Sequence, residues 1–302
     1  MDWVTRLDNE MEAYLPDVEL RREEPMSRHT SFRIGGPARR MALPDRGEQL
    51  VLLYALARDC GARPLVLGNG TNLLVPDRGL DRLVIGTGRL GSLEEAGVLR
   101  AGCGVSLARL ADFACRRGLT GLEFAHGIPG TVGGGVCMNA GAYGGEMKQV
   151  VTEVSVLFPE EGVRVLTGEE LAFGYRRSFL TENPEAVVLS ASFRLRPGDP
   201  EAIRAAMGEL MARRRASQPL DLPSAGSTFK RPEGFYAGTL IDQCGLKGLT
   251  VGGAQVSEKH AGFVVNRGGA TCADVRELIR QVQEAVREQT GVRLEPEVRF
   301  VE

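Results

Sequence analysis

The sequence predicts an α+β protein built in more than one part. Three observations carry this. Apolar residues recur at helical spacing in some windows and form continuous β-branched runs in others. Two glycine-rich turns, Gly68 to Asn72 and Gly127 to Gly145, interrupt those runs. The grain then changes after Pro197-Gly198-Asp199-Pro200, beyond which helical periodicity dominates. With 302 residues the chain is long enough for two or three domains, and three are expected: 1–80, 81–197 and 198–302.

Taken in order, Leu50, Leu53, Tyr54 and Ala57 predict a helix within 45–63, and Pro64 to Leu67 a strand that enters the first glycine turn. Residues 82–86 and 98–102 read as strands. Ser106 is placed to cap a helix carrying Leu107, Leu110, Ala111 and Ala114 on one face. The long glycine loop follows, and strand-like runs return at 150–158, 163–168 and 187–195. Past the boundary, Ile203, Met207, Leu210 and Met211 predict one helix. Val275, Leu278, Ile279, Val282 and Val286 predict another, capped by Thr271 with Asp274. Between them, HAGFVVN reads as a strand, and the chain closes on VRLEPEVRFV.

Composition excludes several classes of function. A formal charge of -2, with no block of like charge, gives a nucleic acid no platform. The acidic start lacks the basic and apolar blocks of a signal peptide and no run is long enough to span a membrane, so a cytoplasmic protein is expected. Six scattered cysteines without a CxxC pair, and only His29, His126 and His260, point to reduced thiols and no metal site.

Four constellations remain. From Gly127 to Gly145, eight of nineteen residues are glycine and none is charged, against an ordinary usage of roughly 7%. Such a loop brings backbone N–H groups close to a bulky anion, although tight turns between strands would share the composition. Together with Gly68-Asn69-Gly70-Thr71-Asn72 it suggests a dinucleotide. Neither turn matches GxGxxG or GxxxxGK[ST], which disfavours NAD and P-loop folds and leaves FAD. The second is Ser224 to Lys230, where small residues expose the Ser227 hydroxyl and Lys230 can help fix an anion; a serine-rich turn is the plain alternative. The third is Tyr175-Arg176-Arg177-Ser178, read as a strand whose alternation sends only one arginine into a site, unless both are solvated. The fourth is Leu294 to Phe300. Glu295 and Glu297 share a face if it is extended, and Pro296 restricts it to an edge.

Together, TSFRIGGPA (30–38), LGNGTNLLV (67–75), GIPGTVGG with NAGAYG (127–134 and 139–144), YRRS (175–178), AGSTFK (225–230) and LEPEVRF (294–300) closely resemble the UDP-N-acetylenolpyruvoylglucosamine reductase family, in its compact form. The likeness spans nearly the whole chain. It implies a two-subdomain FAD-binding fold of the vanillyl-alcohol oxidase type plus a C-terminal α+β substrate-binding domain, with a short return to the first subdomain at the C-terminal end.

The resemblance also implies functional residues. Noncovalent FAD is expected at Gly68, Asn69, Gly70, Thr71, Asn72, Gly127, Ile128, Pro129, Gly130, Thr131, Gly133, Gly134, Asn139 and Gly141. No histidine stands in the first turn to attach it covalently. Ser227 maps onto the proton donor, with Arg176 and Glu297 as its catalytic companions. Tyr175, Lys230 and His260 map onto substrate contacts, although a histidine capping a strand reads equally well for His260. Arg231 stands where many members carry asparagine. The implied reaction is reduction of UDP-N-acetylglucosamine enolpyruvate by NADPH through FAD, in a site between domains, and a monomer is compatible with it. Another FAD oxidase of the same fold, or a noncatalytic flavin sensor, would share the glycine turns but has no reason to combine AGSTFK with LEPEVRF.

Overall fold

A computed structural model describes residues 2–301. The chain divides into two compact units, one of Met1–Arg21, Arg40–Asn69 and Arg82–Arg213, the other of Arg22–Arg39, Gly70–Asp81 and Arg214–Glu302. Each has its own continuous apolar core.

In the first unit the predicted helix is Gly47–Cys60. It buries Leu50, Leu53, Tyr54 and Ala57 and stops at Gly61, whose φ of 79° is a left-handed cap that a side chain would resist. Leu65–Leu67 pairs in parallel with residues 84–86. A second sheet is antiparallel, in the order Gly162–Thr167, Val151–Phe158, Val187–Phe193, Leu99–Gly102, Leu93–Glu95. Its Gly162–Thr167 edge buries only Leu166, whereas the central Val151–Phe158 strand buries Val151, Val154, Val156 and Leu157. β-branched residues fill that centre because a pleated, two-sided surface accommodates their fixed χ1.

The Leu107–Arg116 helix follows. Ser106 Oγ accepts from the Arg109 N–H at 3.2 Å, and Leu107, Leu110, Ala111 and Ala114 face the core. Fully burying a side chain the size of Leu107 contributes about 1.5–3 kcal/mol, so this face rather than helix propensity holds the element in place. Helix Pro200–Ser217 buries Ile203 and Met207.

The second unit is an antiparallel sheet, ordered Ser224–Ser227, Phe263–Asn266, Ala254–Val256, Thr250–Val251. It packs with the Cys272–Thr290 helix, which buries Val275, Leu278, Ile279, Val282 and Val286. Thr271 Oγ1 accepts from the Asp274 N–H at 3.0 Å and an Asp274 carboxylate oxygen accepts from the Thr271 N–H at 2.9 Å, a reciprocal cap. A short helix, Ala237–Gln243, forms where the sequence analysis assigned no element. Leu73–Leu74 pairs in parallel with Arg299–Phe300.

Candidate functional site

Gly68 and Asn69, the start of the first glycine turn, meet the second turn within the first unit, whereas Gly70 to Asn72 belong to the second unit. Asn69 Nδ2 donates to the Pro129 carbonyl at 3.2 Å. A Cβ on Gly68 would lie 2.5 Å from Thr131 Oγ1, so only glycine permits this approach. Thr131 is buried and caps the short Val132–Cys137 helix, its Oγ1 accepting from the Gly134 N–H at 3.4 Å. Gly133 is locked by its N–H to the Cys103 carbonyl at 2.9 Å, and burial pushes the Cys103 thiol up to about 12, an inert group beside the turn. Among the described residues, the backbone N–H groups of Asn69, Gly127, Gly130 and Thr131 donate to no protein acceptor. Unspent donors on a neutral cradle with no room for side chains fit a dinucleotide pyrophosphate.

Arg176 is not on a strand. Residues 174–177 form a tight turn, closed by Gly174 N–H to Arg177 O at 3.0 Å and Arg177 N–H to Gly174 O at 3.3 Å. Arg176 has φ 53°, a left-handed conformation that costs a non-glycine residue about 1–2 kcal/mol. The turn, and not strand alternation, therefore sets the two arginines apart. Arg176 is half-buried with Nη1 on the Gly141 carbonyl at 3.2 Å, while Arg177 is exposed beside Glu182.

Asn139 holds this turn in place. Buried, at φ 41°, it donates from Nδ2 to the Gly174 carbonyl and to Glu146 Oε2, both at 2.9 Å, and accepts from the Lys148 N–H at 2.9 Å. Its amide is thus engaged with protein on both sides. Ser178 Oγ adds a bond to the Cys137 carbonyl at 2.8 Å. Of the residues expected around the cofactor, Asn139 and Gly141 contact the arginine turn, and Ile128 lies half-buried between Gly127 and Pro129. Tyr175 is exposed, with the Arg176 guanidinium over its ring.

In the second unit, Ser227 ends the Ser224–Ser227 strand and pairs with Phe263. Its hydroxyl is exposed and has no protein partner among the described residues, while neighbouring Thr228 and Phe229 are buried. Thr228 anchors the strand: its N–H donates to Gly262 O at 2.8 Å and its Oγ1 accepts from the Val264 N–H at 2.9 Å. Glu297 is half-buried, and its N–H donates to the Thr228 carbonyl at 2.8 Å. Phe229 bridges Pro296, a position in the ladder that asks for no N–H, which is how proline is tolerated here.

Lys230 and Glu295 pair with each other, Nζ to Oε2 at 3.1 Å, in the open. His260 is a strand cap: Nδ1 accepts from the Gly262 N–H at 3.1 Å and the ring packs edge-on against Phe263 at 4.9 Å. Burial lowers its pKa, so the ring is neutral near pH 7.

Two residues escaped the sequence reading. Ser31 Oγ donates to Ser224 O at 2.6 Å and Asn266 Nδ2 to Phe32 O at 3.0 Å, so TSFRIGGPA braces the Ser227 strand. No local signal marks such a contact, since its partners lie 193 and 234 residues apart. Among the described residues no cluster of His, Cys, Asp or Glu could hold a metal ion, and no helix is long and apolar enough to cross a membrane.

Residues 38–167 match an FAD binding domain, and residues 218–301 match the C-terminal domain of UDP-N-acetylenolpyruvoylglucosamine reductase. The chain is 49% identical over 301 residues to the UDP-N-acetylenolpyruvoylglucosamine reductase of Agathobacter rectalis, covering 95% of each. It is 48% identical over 296 residues to that of Caldanaerobacter subterraneus subsp. tengcongensis, covering 98% of each. The crystal structure of UDP-N-acetylenolpyruvylglucosamine reductase from Thermus caldophilus superposes with a TM-score of 0.80 at 38% identity, over 94% of this chain and 99% of that one. Nearly end-to-end similarity, joined to the glycine cradle and the exposed serine, establishes that the chain belongs to the UDP-N-acetylenolpyruvoylglucosamine reductase family of FAD-dependent oxidoreductases.

Proposed function

We propose that this chain reduces UDP-N-acetylglucosamine enolpyruvate to UDP-N-acetylmuramate, a step of peptidoglycan synthesis, using NADPH and noncovalent FAD. The observation that carries the reading is the Ser227 hydroxyl, exposed and unpartnered on a strand whose next two residues are buried, inside the stretch that matches the family's C-terminal domain. The unspent N–H groups around Gly68 to Asn69 and Gly127 to Thr131 would hold the FAD pyrophosphate. When bound, FAD supplies the hydride that reaches the enolpyruvyl C3, having taken it from NADPH.

The chain's own residues handle the charge that results. As C3 gains hydride, the alkene electron pair moves to C2 and spreads into the substrate carboxylate. Arg176, permanently cationic and pre-set by its turn, would bind that carboxylate; removing one such donor costs on the order of 3 kcal/mol, about a hundredfold in rate. Glu297 would hold the same group if protonated, or would order a donor to it. Ser227 then gives its proton to C2. A hydroxyl is a poor acid near neutrality, and it serves here because the carbanion is a far stronger base. Lys230, Tyr175 and His260 would contact the substrate. The three-part division at residues 80 and 197 is retained as the functional division, and the cytoplasm as the place of the reaction.

The test uses the purified holoenzyme without oxygen. NADPH should bleach the flavin spectrum, and UDP-N-acetylglucosamine enolpyruvate should restore it. A flavin restored only by oxygen would instead identify an oxidase of the same fold.

A further inference from the structure

Glu297 keeps its place through a bond that the strand ladder does not provide. The Phe229–Pro296 bridge puts Thr228 opposite Glu297, and in an antiparallel ladder two such residues exchange both N–H to O bonds. Only one of the two forms. Glu297 N–H donates to Thr228 O at 2.8 Å, but the Thr228 N–H is diverted to Gly262 O, also at 2.8 Å. The Glu297 carbonyl is left without its ladder donor, and Asn72 Nδ2 supplies one at 3.1 Å.

The same residue takes a second grip. The Asn72 carbonyl accepts from the Arg299 N–H at 3.0 Å, where Leu73–Leu74 runs in parallel with Arg299–Phe300. Asn72 therefore brackets Val298, which is buried, through its side chain on one flank and its main chain on the other. Removing a donor from a part-buried carbonyl is costly.

We propose that Asn72 is a positioning residue for Glu297, acting on the reduction of substrate through that carboxylate, and that its side chain is not a cofactor contact. This rests on the catalytic reading of Glu297 given above. Asn72→Asp keeps the shape and removes the donor, and Asn72→Ala removes both. In each, reoxidation of reduced flavin by UDP-N-acetylglucosamine enolpyruvate should slow by about tenfold to a hundredfold, the size of effect that losing one part-buried hydrogen bond to the carboxylate's backbone can have. FAD dissociation, the flavin spectrum and reduction by NADPH should stay within about twofold.

A cycle with Glu297→Gln separates the possible failures. If Asn72 acts through Glu297, the double variant Asn72→Ala/Glu297→Gln is no slower than Glu297→Gln alone. Fully multiplicative losses, weakened FAD binding, or equal slowing of both half-reactions would overturn the proposal. Wild-type reoxidation by Glu297→Gln would instead remove the catalytic reading of Glu297, and the positioning role with it.

Discussion

Ser227 and Thr228 are adjacent residues of similar chemistry with opposite roles, and the difference lies in what each hydroxyl touches. Thr228 spends its oxygen on the Val264 N–H and is buried. Thr228→Val, nearly isosteric, orphans that donor and should lower stability by about 1–3 kcal/mol in urea unfolding. The Ser227 hydroxyl makes no bond within the fold among the described residues, although its backbone pairs with Phe263. Ser227→Ala should leave the unfolding midpoint and flavin reduction by NADPH unchanged, and slow reoxidation by the enolpyruvyl substrate by about 10²- to 10⁴-fold. Equal loss in both half-reactions would remove Ser227 from the proton-donor role. His260 carries a pH signature of its own. Its folded pKa lies below its ordinary 6.5 because burial disfavours the charged ring, so the unfolded chain binds the proton more readily. Its contribution to stability is present above pH 6.5 and is lost as pH falls through the folded value. His260→Gln should flatten stability against pH in that window, as measured by urea titrations at several pH values.

At the scale of elements, glycine and asparagine act as joints between segments that have no regular structure of their own. The cradle exists because Gly68 lies against Thr131 and Asn69 reaches Pro129. Gly68→Ala places a Cβ 2.5 Å from Thr131 Oγ1 and must push the two turns apart. The expected result is weaker FAD binding by fluorescence titration with the circular dichroism spectrum of the fold retained; unchanged affinity would show that the cradle is not where the cofactor sits. The arginine turn depends on Asn139 in the same way. Asn139→Ala removes donors to Gly174 and Glu146 and the acceptor for Lys148, and a network of this kind loses more than one bond's worth when opened. Strand pairing plays a matching part in the second unit, where Thr228 to Lys230 hold Glu295 to Glu297 in register despite Pro296.

On the scale of the whole molecule, two apolar cores form from segments far apart in the chain. One runs from Leu7 to Met207, and the other joins Phe32, Ile34 and Leu74 to residues of the C-terminal third. A cofactor bound only by the folded chain must raise its stability by mass action. FAD at a hundred times its dissociation constant should add about 2.7 kcal/mol, visible as a higher unfolding temperature in calorimetry and reversed on stripping the flavin. No shift between stripped and reconstituted protein would mean that folding and FAD binding are not linked, and would count against the cradle.

The sequence alone determined that helices lie within 45–63, after Ser106 and after Thr271, the last two with their caps, and it held the motifs that carried the family resemblance. These rest on interactions between residues a few positions apart, which periodicity and capping chemistry express directly. What only the tertiary structure decided is how the site residues are held. The 174–177 segment was expected as a strand and is a turn, because Asn139 and Gly141 from a distant loop supply its bonds. Glu297 is clamped by Asn72 from 225 residues away, a bond that exists only because two chain segments meet in three dimensions and that leaves no periodic trace in either.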